Sequence, residues 1–432
     1  MSRSRLVAWR QRLTPEHTLW IVGLGVAVSL LGDLTLYVVL PTHTSEAGIA
    51  LANVGLMLSA NRLIRILING PIGLIIERTP RRRIAVPALF LGAASSLLYT
   101  IPGFWPLLIG RLLWGIAWAG LWLSASTMVL DISSEANRGR FVGRLQMWYF
   151  IGVGGSSFIG GALTDWLGYT ANFTVCAFVT LAGAIIWWLF LPETHSETGR
   201  NRSTPLSFEI TPRRHIPPSF KASLPLITAI VLFGVNWLIF LGVLGATMPL
   251  LLEERIGETV YVLGLLIPLS TFTGGLAASN QIVSLLVSPL AGWISDYSRQ
   301  RWAVIFWALI LGIVATGLLA VGTGIVIVVA TMIGAIATSA LQTQVMTLVG
   351  DYTLAHQRGR ILGILNTVGD VGSAGGPLLA YAVLSTIHLS GIFWLATGLL
   401  VIVVPWTLWI ARQELHFSGQ PYAASNHSEM AN

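Results

Sequence analysis

The sequence has few charged side chains, and this limits the class of protein it encodes. Only 10% of its 432 residues are Asp, Glu, Lys or Arg, whereas 54% are apolar, and the mean hydropathy is +0.74. A soluble domain carries about 25% charged residues. Instead, apolar runs of roughly 17–25 residues, the length that crosses a bilayer, follow one another along the chain. We therefore predict an all-α integral membrane protein.

Several residue types that catalysis needs are also scarce. The one lysine, Lys221, follows no glycine-rich phosphate loop, so there is no ATP-binding Walker motif. The one cysteine, Cys176, excludes internal disulfides. No His, Cys and carboxylate cluster has metal-ligand spacing, and no hydrolase motif occurs. We expect no enzyme activity, no cofactor, no metal and no ATP.

Twelve apolar runs are candidate membrane spans. They lie near 17–41, 48–75, 84–101, 105–131, 141–166, 170–192, 223–250, 267–294, 302–321, 324–350, 361–386 and 389–411. Alternate loops collect nearly all of the 25 basic residues, and the opposite loops hold only Arg255. This positive-inside bias predicts that both termini face the cytoplasm. We expect the protein in the cell (inner) membrane. The bias also accounts for the net charge of +7 without a nucleic-acid partner.

The two parts of the chain repeat each other. Residues 69–83 align with 288–301 at an offset of 219, and residues 131–143 align with 351–363 at an offset of 220. Such a repeat implies two similar halves related by an axis along the membrane normal. We predict two pseudo-symmetric six-helix bundles, 1–192 and 223–411, joined by a polar, Pro-rich cytoplasmic linker at 193–222 and followed by a cytoplasmic tail at 412–432.

These motifs resemble those of the major facilitator superfamily over nearly the whole chain. The loop after span 2 has the family's pattern, with Glu in place of Asp and Pro in place of the second Gly. "RLLWG" (111–115) resembles an exporter signature, "GVGGSSFIGG" (152–161) resembles the glycine-rich signature of proton antiporters, and "DLTLYVVLP" (33–41) resembles the start of drug–proton exporters. The resemblance implies a twelve-span transporter of the drug or metabolite:proton antiporter branch.

The resemblance also implies a conformational latch on the cytoplasmic side. In the family, the loop carboxylate caps span 11 and the loop arginine pairs with the acid that ends span 4, so Arg81 would pair with Asp131. Gln300 stands at the position matching Arg81, so a latch in the second half is in doubt. The latch residues of both halves are Gly73, Glu77, Arg78, Arg81, Arg82, Asp131, Gly292, Asp296, Arg301 and Asp351. A solvated loop of mixed charge is the alternative.

Charged side chains inside the spans each need a reason, because one at mid-bilayer costs about 2.5–3.5 kcal/mol on insertion scales. Asp33 in span 1 and Arg111 in span 4 lie at similar depths, so we expect them to interact in the central cavity. Burial favours the neutral acid and arginine favours the carboxylate, so the pair is a candidate proton switch. A permanent structural ion pair is the alternative. Asp370 in span 11 is a second candidate proton site.

Arg62 and Arg65 are three residues apart in span 2 and share a helix face. They either bind an anionic substrate or form salt bridges to Asp370 across the interface. Other polar and aromatic residues are candidate cavity liners, with interhelical packing as the alternative reading. The candidate cavity set is Tyr37, Arg62, Arg65, Trp114, Trp118, Asn236, Trp237, Asn280, Gln281, Gln342 and Asn366.

Glycines in spans 5 and 11 allow close helix approach and bending. They are Gly152, Gly155, Gly160, Gly161, Gly372, Gly375 and Gly376. Three hypotheses follow for function. The first is proton-coupled efflux of amphipathic drugs or metabolites by alternating access. It expects a monomeric protein with a small-molecule substrate, protons and the lipid bilayer as partners. The second is symport or exchange of an anionic solute. The third, a membrane-embedded lipid enzyme, lacks the clustered motif it needs.

Overall fold

The computed structural model describes residues 13–134, 137–194, 224–262, 264–298, 300–353 and 358–418. The N-terminal arginines, most of the predicted linker and the end of the predicted tail lie outside these ranges. Within them, the side chains of Glu77 and Arg78 are not described. Those two latch residues therefore stay predictions from the sequence.

The described chain is built almost entirely of helices. They are α1 (Pro15–Val39), α2 (Val54–Arg78), α3 (Arg81–Leu98), α4 (Phe104–Ile132), α5 (Arg138–Leu167), α6 (Tyr169–Phe190), α7 (Leu224–Ile256), α8 (Leu269–Ser298), α9 (Arg301–Val321), α10 (Ile325–Tyr352) and, within Arg358–Ser418, α11 (358–387) and α12 (389–418). His388 separates the last two, because its φ of 54° and ψ of 172° are not helical. A single turn of 3₁₀ helix, Leu51–Asn53, precedes α2.

Local sequence explains where several helices begin and bend. At α1, the Thr14 side chain accepts a hydrogen bond from the His17 amide, and Pro15 occupies the first helical position, where its missing N–H costs nothing. Between α5 and α6, Gly168 has a φ of 82°, a conformation that favours glycine. The middle of α7, Trp237–Leu244, is π-helical, a widening of the turn that is found often at functional sites.

Nine helical stretches of the described chain are long and apolar enough to cross a membrane. One of them, Ile361–Gln413, contains both α11 and α12. The arginine-led α3 and the glycine-rich α5 are less apolar and are not among the nine. The all-α membrane architecture is confirmed, while the count of twelve spans stays a prediction.

A two-stranded antiparallel hairpin interrupts the helices between α7 and α8. Its strands are β1 (Thr259–Val262) and β2 (Leu265–Pro268), with Tyr261 opposite Leu266. Both of these side chains are largely exposed. The predicted start of span 8 at residue 267 therefore falls in β2, and the helix begins two residues later.

The helices pack as two groups, α1–α6 and α7–α12. Within the groups, α1 packs on α5, α3 on α4, and α9 on α10. Between the groups, the main contacts join α2 to α11 and α5 to α8. Because a twofold repeat would exchange α2 with α8 and α5 with α11, these two contacts are equivalent. This agrees with the internal repeat of the sequence.

The two groups touch at one end of the bundle, which we call the α1–α2 end because α1 finishes and α2 starts there. A Cβ added at Gly55 would lie 2.6 Å from the Pro377 carbonyl oxygen and 3.0 Å from the Tyr381 side chain. On the α5–α8 side, the Asp165 carboxylate accepts a 2.6 Å hydrogen bond from the Thr271 amide. A shared apolar cluster, which includes Leu36, Ala246 and Tyr381, fills the space between these contacts.

The groups part toward the opposite end, which we call the α2–α3 end. In α2, no side chain from residue 63 to residue 75 is buried, and in α8 the same holds from residue 277 to residue 290. A Cβ at Gly70, Gly73 or Gly363 would meet no atom of another described residue within 4 Å, beyond its chain neighbours and its own helix backbone. The structure is therefore closed at the α1–α2 end and open toward the α2–α3 end.

Candidate functional site

The structure brings Asp33 of α1 and Arg111 of α4 together as an ion pair. Asp33 is 8% exposed and Arg111 is fully buried. The Arg111 guanidinium also donates hydrogen bonds to the carbonyl oxygens of Met57 (2.8 Å) and Leu58 (3.3 Å) and to the Tyr37 hydroxyl (3.2 Å). Buried charges need this degree of satisfaction to be tolerated. The pair therefore ties α1 and α4 to the backbone of α2.

Two polar residues complete the surroundings of the pair. The Asn61 side-chain amide donates to Asp33 Oδ1 at 3.2 Å, and the Tyr37 hydroxyl donates to the Leu58 carbonyl at 2.6 Å. The Asn61 side-chain oxygen is buried and has no hydrogen-bond partner among the described residues. The side-chain oxygen of Asn280, the residue that matches Asn61 in the repeat, is likewise buried and has no hydrogen-bond partner among the described residues. Two buried acceptors, one in each half, are thus available to a ligand.

A second ion pair crosses between the two groups of helices. Arg65 of α2 bonds the Asp370 carboxylate of α11, where the helices meet before the cavity opens. Asp370 is 6% exposed. One turn away, the Ser59 hydroxyl donates to the Ala374 carbonyl at 2.6 Å. Together these contacts hold α2 against α11 at mid-depth.

Arg62 behaves differently from Arg65, although both share one face of α2. Among the described residues no carboxylate forms an ion pair with Arg62, and its guanidinium donates to the Ser373 carbonyl at 3.0 Å. The guanidinium also lies over the Tyr37 ring, 4.9 Å from its centre. Arg62 is only 7% exposed. Two roles were expected for these arginines, a salt bridge to Asp370 and binding of an anionic substrate. Arg65 forms the salt bridge, and Arg62 has no counter-ion in the described chain.

Tyr149 of α5 is a site residue that the sequence analysis missed. It lies within electrostatic range of four of the five charged groups described above: Asp33, Arg62, Arg65 and Asp370. On its other side, its ring centre is 5.2 Å from that of Trp122 and 6.0 Å from that of Trp118. Trp118 and Trp122 stack on each other at 5.5 Å and 14°. The three rings form a partly exposed surface beside the charges, which we call the aromatic wall.

Other predicted cavity residues are scattered. Trp114 is buried to 2% exposure and packs beneath Gly92, so it does not face an opening. Asn236 is buried at 3% exposure, and Trp237 packs on Phe233 at 5.0 Å between ring centres. Gln281 lies close to Gly154, across the α5–α8 contact. Gln342 is partly exposed and Asn366 is exposed near the open end.

Ion pairs equivalent by the repeat lie at the α2–α3 end of each half. Arg81 approaches Asp131 at 3.4 Å, and Arg301 approaches Asp351 at 2.6 Å. At the offset of 220 these pairs superpose, so the repeat has a one-residue shift between Asp296 and Arg301 that hid the equivalence. Arg301 also contacts Asp296 at 3.3 Å. Arg301, and not Gln300, therefore holds the position that matches Arg81, while the latch role of both pairs stays a prediction.

Glu193 is a further missed residue at this end. Its carboxylate accepts hydrogen bonds from the amides of Arg81 (2.9 Å) and Arg82 (3.2 Å), the first residues of α3. A carboxylate at a helix N-terminus is stabilised by the free amides and the helix dipole. The end of α6 is thus attached to the start of α3. Among the described residues, Gly73 and Gly292 form no close contact with another helix, apart from a 3.9 Å approach of a Cβ at Gly292 to Thr343.

The interface glycines fall into two groups. Gly161 packs against the Ser270 backbone across the α5–α8 contact, whereas Gly152 and Gly160 pack against α1 within their own half. Gly372 and Gly376 pack against α7, also within their own half, and Gly375 approaches Leu238 there at 3.9 Å. A Cβ at Gly155 would meet nothing within 4 Å. Within the described ranges, no group of three or more His, Cys, Asp and Glu residues has the arrangement of a metal site.

A buried ion pair in each of two places, an open cavity between repeated halves, and ion pairs equivalent by the repeat at the open end agree with the family that the motifs resemble. The family model of the Major Facilitator Superfamily matches residues 22–280 and 270–422.

The chain belongs to the major facilitator superfamily.

Members of this superfamily are multi-pass membrane transporters of small molecules and not enzymes.

Known relatives are distant. An uncharacterised MFS-type transporter of Methanocaldococcus jannaschii is 24% identical over 58% of this chain and 70% of its own length. The inner membrane transport protein YnfM of Escherichia coli is 31% identical over 43% of this chain and 45% of its own. The class G tetracycline resistance protein of Vibrio anguillarum is 28% identical over 41% of this chain and 46% of its own. The chain thus matches less than half of the last two.

Solved structures share the fold. A bacterial homologue of the human lysosomal transporter Spinster, in an inward-facing and occupied conformation, has a TM-score of 0.76 at 15% identity, over 94% of this chain and 99% of that one. The human organic anion transporter MFSD10 (TETRAN) has a TM-score of 0.61 at 19% identity, over 92% of this chain and all of that one. At these identities the likeness concerns the fold alone.

Proposed function

We propose that the protein is a proton-coupled secondary transporter that works by alternating access, with Asp33 as the residue that takes up and releases the proton. One observation carries the proposal: a carboxylate, 8% exposed, bonded to a fully buried arginine, beside the closed end of a cavity. Burial disfavours the charged acid, and Arg111 favours it. A movement that loosens the pair shifts this balance, and Asp33 then takes up a proton.

The two contacts between the halves would have to change during the cycle. Arg65–Asp370 and the α5–α8 contact hold the α1–α2 end closed in the present state. By the positive-inside prediction, the α2–α3 end faces the cytoplasm, so this state is the inward-open one. The ion pairs Arg81–Asp131 and Arg301–Asp351, both formed in this state, then act as cytoplasmic latches.

The transport mode that we propose is export of amphipathic drugs or metabolites in exchange for protons across the cell membrane. The exporter and antiporter signatures in α1, α4 and α5 support it, and so does the partial similarity to a tetracycline resistance protein. A second candidate has an anionic solute carried by cotransport or exchange. Arg62 favours this candidate, because the described chain offers it no carboxylate.

Transport in vesicles tests the proposal and separates the candidates. Purified full-length protein is reconstituted in liposomes, and an amphipathic dye such as ethidium is followed under an imposed pH gradient. If the protein exchanges dye for protons, the dye should move in the direction opposite to the protons in protein-containing liposomes. It should not do so in empty liposomes. If the second candidate holds, an anion such as 1-naphthalenesulfonate should move in the same direction as the protons in this experiment. If the pH gradient changes the transport of neither solute, proton coupling is contradicted.

A further inference from the structure

The central charges do not balance. Five charged side chains of α1, α2, α4 and α11 form a central cluster: Asp33, Asp370, Arg62, Arg65 and Arg111. Two carboxylates face three arginines, so the cluster carries a formal charge of +1. Asp33 pairs with Arg111, and Asp370 with Arg65, so the surplus charge is that of Arg62. A buried charge without a counter-ion is costly, and an incoming anion would remove that cost.

The donors of this cluster are only partly used. Arg62 donates one hydrogen bond within the described chain, to Ser373, although a guanidinium carries five N–H donors. The Arg65 Nε–H is buried and has no partner among the described residues. The two guanidinium groups share a face of α2. Arginine's planar fork matches the geometry of carboxylate and sulfonate oxygens.

The aromatic wall lies beside these donors, on the side of the open end. Trp118 is seven residues beyond Arg111 along α4, about 10 Å toward the α2–α3 end at 1.5 Å per residue. Tyr149 lies within electrostatic range of both Arg62 and Arg65 and contacts Trp118 and Trp122 with its ring. All three rings are partly exposed. Offset or edge contacts with such rings stabilise an aromatic ligand beyond simple burial.

We propose that the cavity binds an amphipathic aromatic monoanion, with its acidic group on Arg62 and the free Arg65 Nε–H and its ring system on Trp118, Trp122 and Tyr149. The inference rests on the proposed transport function and takes up its second candidate, an anionic solute. It names the substrate class: a flat aromatic body with one carboxylate or sulfonate. A bound monoanion brings the formal charge of the cluster to zero.

Calorimetry on the purified full-length protein tests this without any gradient. The probes are 1-naphthalenesulfonate, neutral 1-naphthalenemethanol and cationic 1-naphthylmethylammonium, which share one ring system and differ in charge. We expect the sulfonate to bind at least tenfold more tightly than the other two. Arg62→Gln should weaken sulfonate binding at least tenfold and leave the neutral probe unchanged. Arg255→Gln, which removes an arginine at the far end of α7, should leave both affinities unchanged.

Two further variants keep the test decisive if Arg62→Gln folds poorly. Arg62→Lys retains the charge and should bind the sulfonate more tightly than Arg62→Gln. Tyr149→Leu should weaken binding of every naphthalene probe but leave the preference for the anion. Equal binding of the three probes, or sulfonate binding that is unchanged in both Arg62→Gln and Tyr149→Leu, would overturn the inference.

Failure of this inference is distinguishable from failure of the proposed function. Asp33→Asn removes the proposed proton site but leaves Arg62, Arg65 and the aromatic wall in place. It should bind the sulfonate at least as tightly as the unmodified protein. Intact anion binding with unaltered proton coupling in Asp33→Asn would refute the proton role alone. Lost charge preference with normal proton coupling would refute the substrate class alone.

Discussion

Arg65 of α2 and Asp370 of α11 form an ion pair that joins the two halves of the protein at the level where the cavity begins. On one side of this pair the halves touch, and on the other side they part. The pair is mostly buried, with side-chain exposures of 15% and 9%. It therefore links the closed end to the charges that we assign to transport.

Removing one member of this pair is expected to impair transport strongly. Loss of one partner from a buried pair typically costs about 3–5 kcal/mol, because the other charge stays buried and unpaired. Arg65→Gln and Asp370→Asn should each reduce the rate of transport at least tenfold in proteoliposomes. The swap Arg65→Asp with Asp370→Arg should recover part of it. A swap that is no better than either single change would contradict a direct pair.

The two latch pairs are expected to act equivalently. Arg81→Gln breaks the contact with Asp131, and Arg301→Gln breaks the contacts with Asp351 and Asp296. At least one partner of each latch pair is partly exposed. Such pairs typically contribute about 0.2–1 kcal/mol, so we expect small losses of thermal stability and comparable losses of transport. Gln300→Ala is the matched control and should change neither. A large effect of Gln300→Ala with none of Arg301→Gln would restore the alignment at offset 219.

A single methyl group at Gly161 should disturb the closed end. A Cβ there would overlap the backbone of Ser270, which cannot turn away as a flexible side chain can. Gly161→Ala is therefore expected to separate α5 from α8 and favour a state open at the α1–α2 end. Fluorescent labelling of a cysteine introduced at Thr271, in a Cys176→Ala background, measures this opening.

Gly155→Ala provides the control for this prediction. It lies on the same helix, and its Cβ would meet no atom within 4 Å. It should leave the labelling rate unchanged and stabilise α5 by up to about 1 kcal/mol, because alanine is the better helix former. Faster labelling in Gly155→Ala than in Gly161→Ala would show that helix propensity, not the contact with Ser270, governs opening.

The formal charge of the central cluster determines whether anion binding strengthens or weakens as the pH falls. Protonation of Asp33 removes a negative charge and raises the formal charge of the cluster from +1 to +2, so an anion should bind more tightly as the pH falls. By linkage, the bound anion favours the proton equally. Calorimetry of 1-naphthalenesulfonate over a pH series should show this trend, and Asp33→Asn should flatten it. Tighter binding at low pH would favour the cotransport candidate for such an anion, whereas weaker binding would indicate that anion and proton compete and would favour the proposed exchange.

Much of the architecture follows from the sequence. Long apolar runs, alternating basic loops and the repeated motifs predict a two-part helical membrane protein, since each reflects the cost of placing charge or open backbone in hydrocarbon. The candidate pair Asp33 and Arg111 was visible for the same reason. A charge inside an apolar run stands out, and helical rise gives its depth.

Other features depend on helix rotation, which composition does not report. Arg62 and Arg65 share a face of α2, yet the structure gives the carboxylate of Asp370 to Arg65 alone. Tyr149 lies between two other aromatic residues, Trp148 and Phe150, and nothing in the sequence around it signals its place among the central charges. The hairpin 259–268 is short and apolar, and such a segment is easily taken for part of a span.

The proton role of Asp33 is tested most directly by Asp33→Asn, assayed twice in the same proteoliposomes. Counterflow of labelled substrate requires only alternating access, whereas accumulation driven by an imposed pH gradient also requires the proton site. Glu16→Gln, which removes a half-exposed carboxylate paired with Arg140 and Arg144, is the control. In Asp33→Asn the Arg111 guanidinium keeps its hydrogen bonds to Met57, Leu58 and Tyr37, which the arginine of the Arg65–Asp370 pair lacks in the described chain. The account therefore predicts that Asp33→Asn retains counterflow and loses proton-driven accumulation, while Glu16→Gln keeps both. Proton-driven accumulation at the unmodified rate in Asp33→Asn would contradict it.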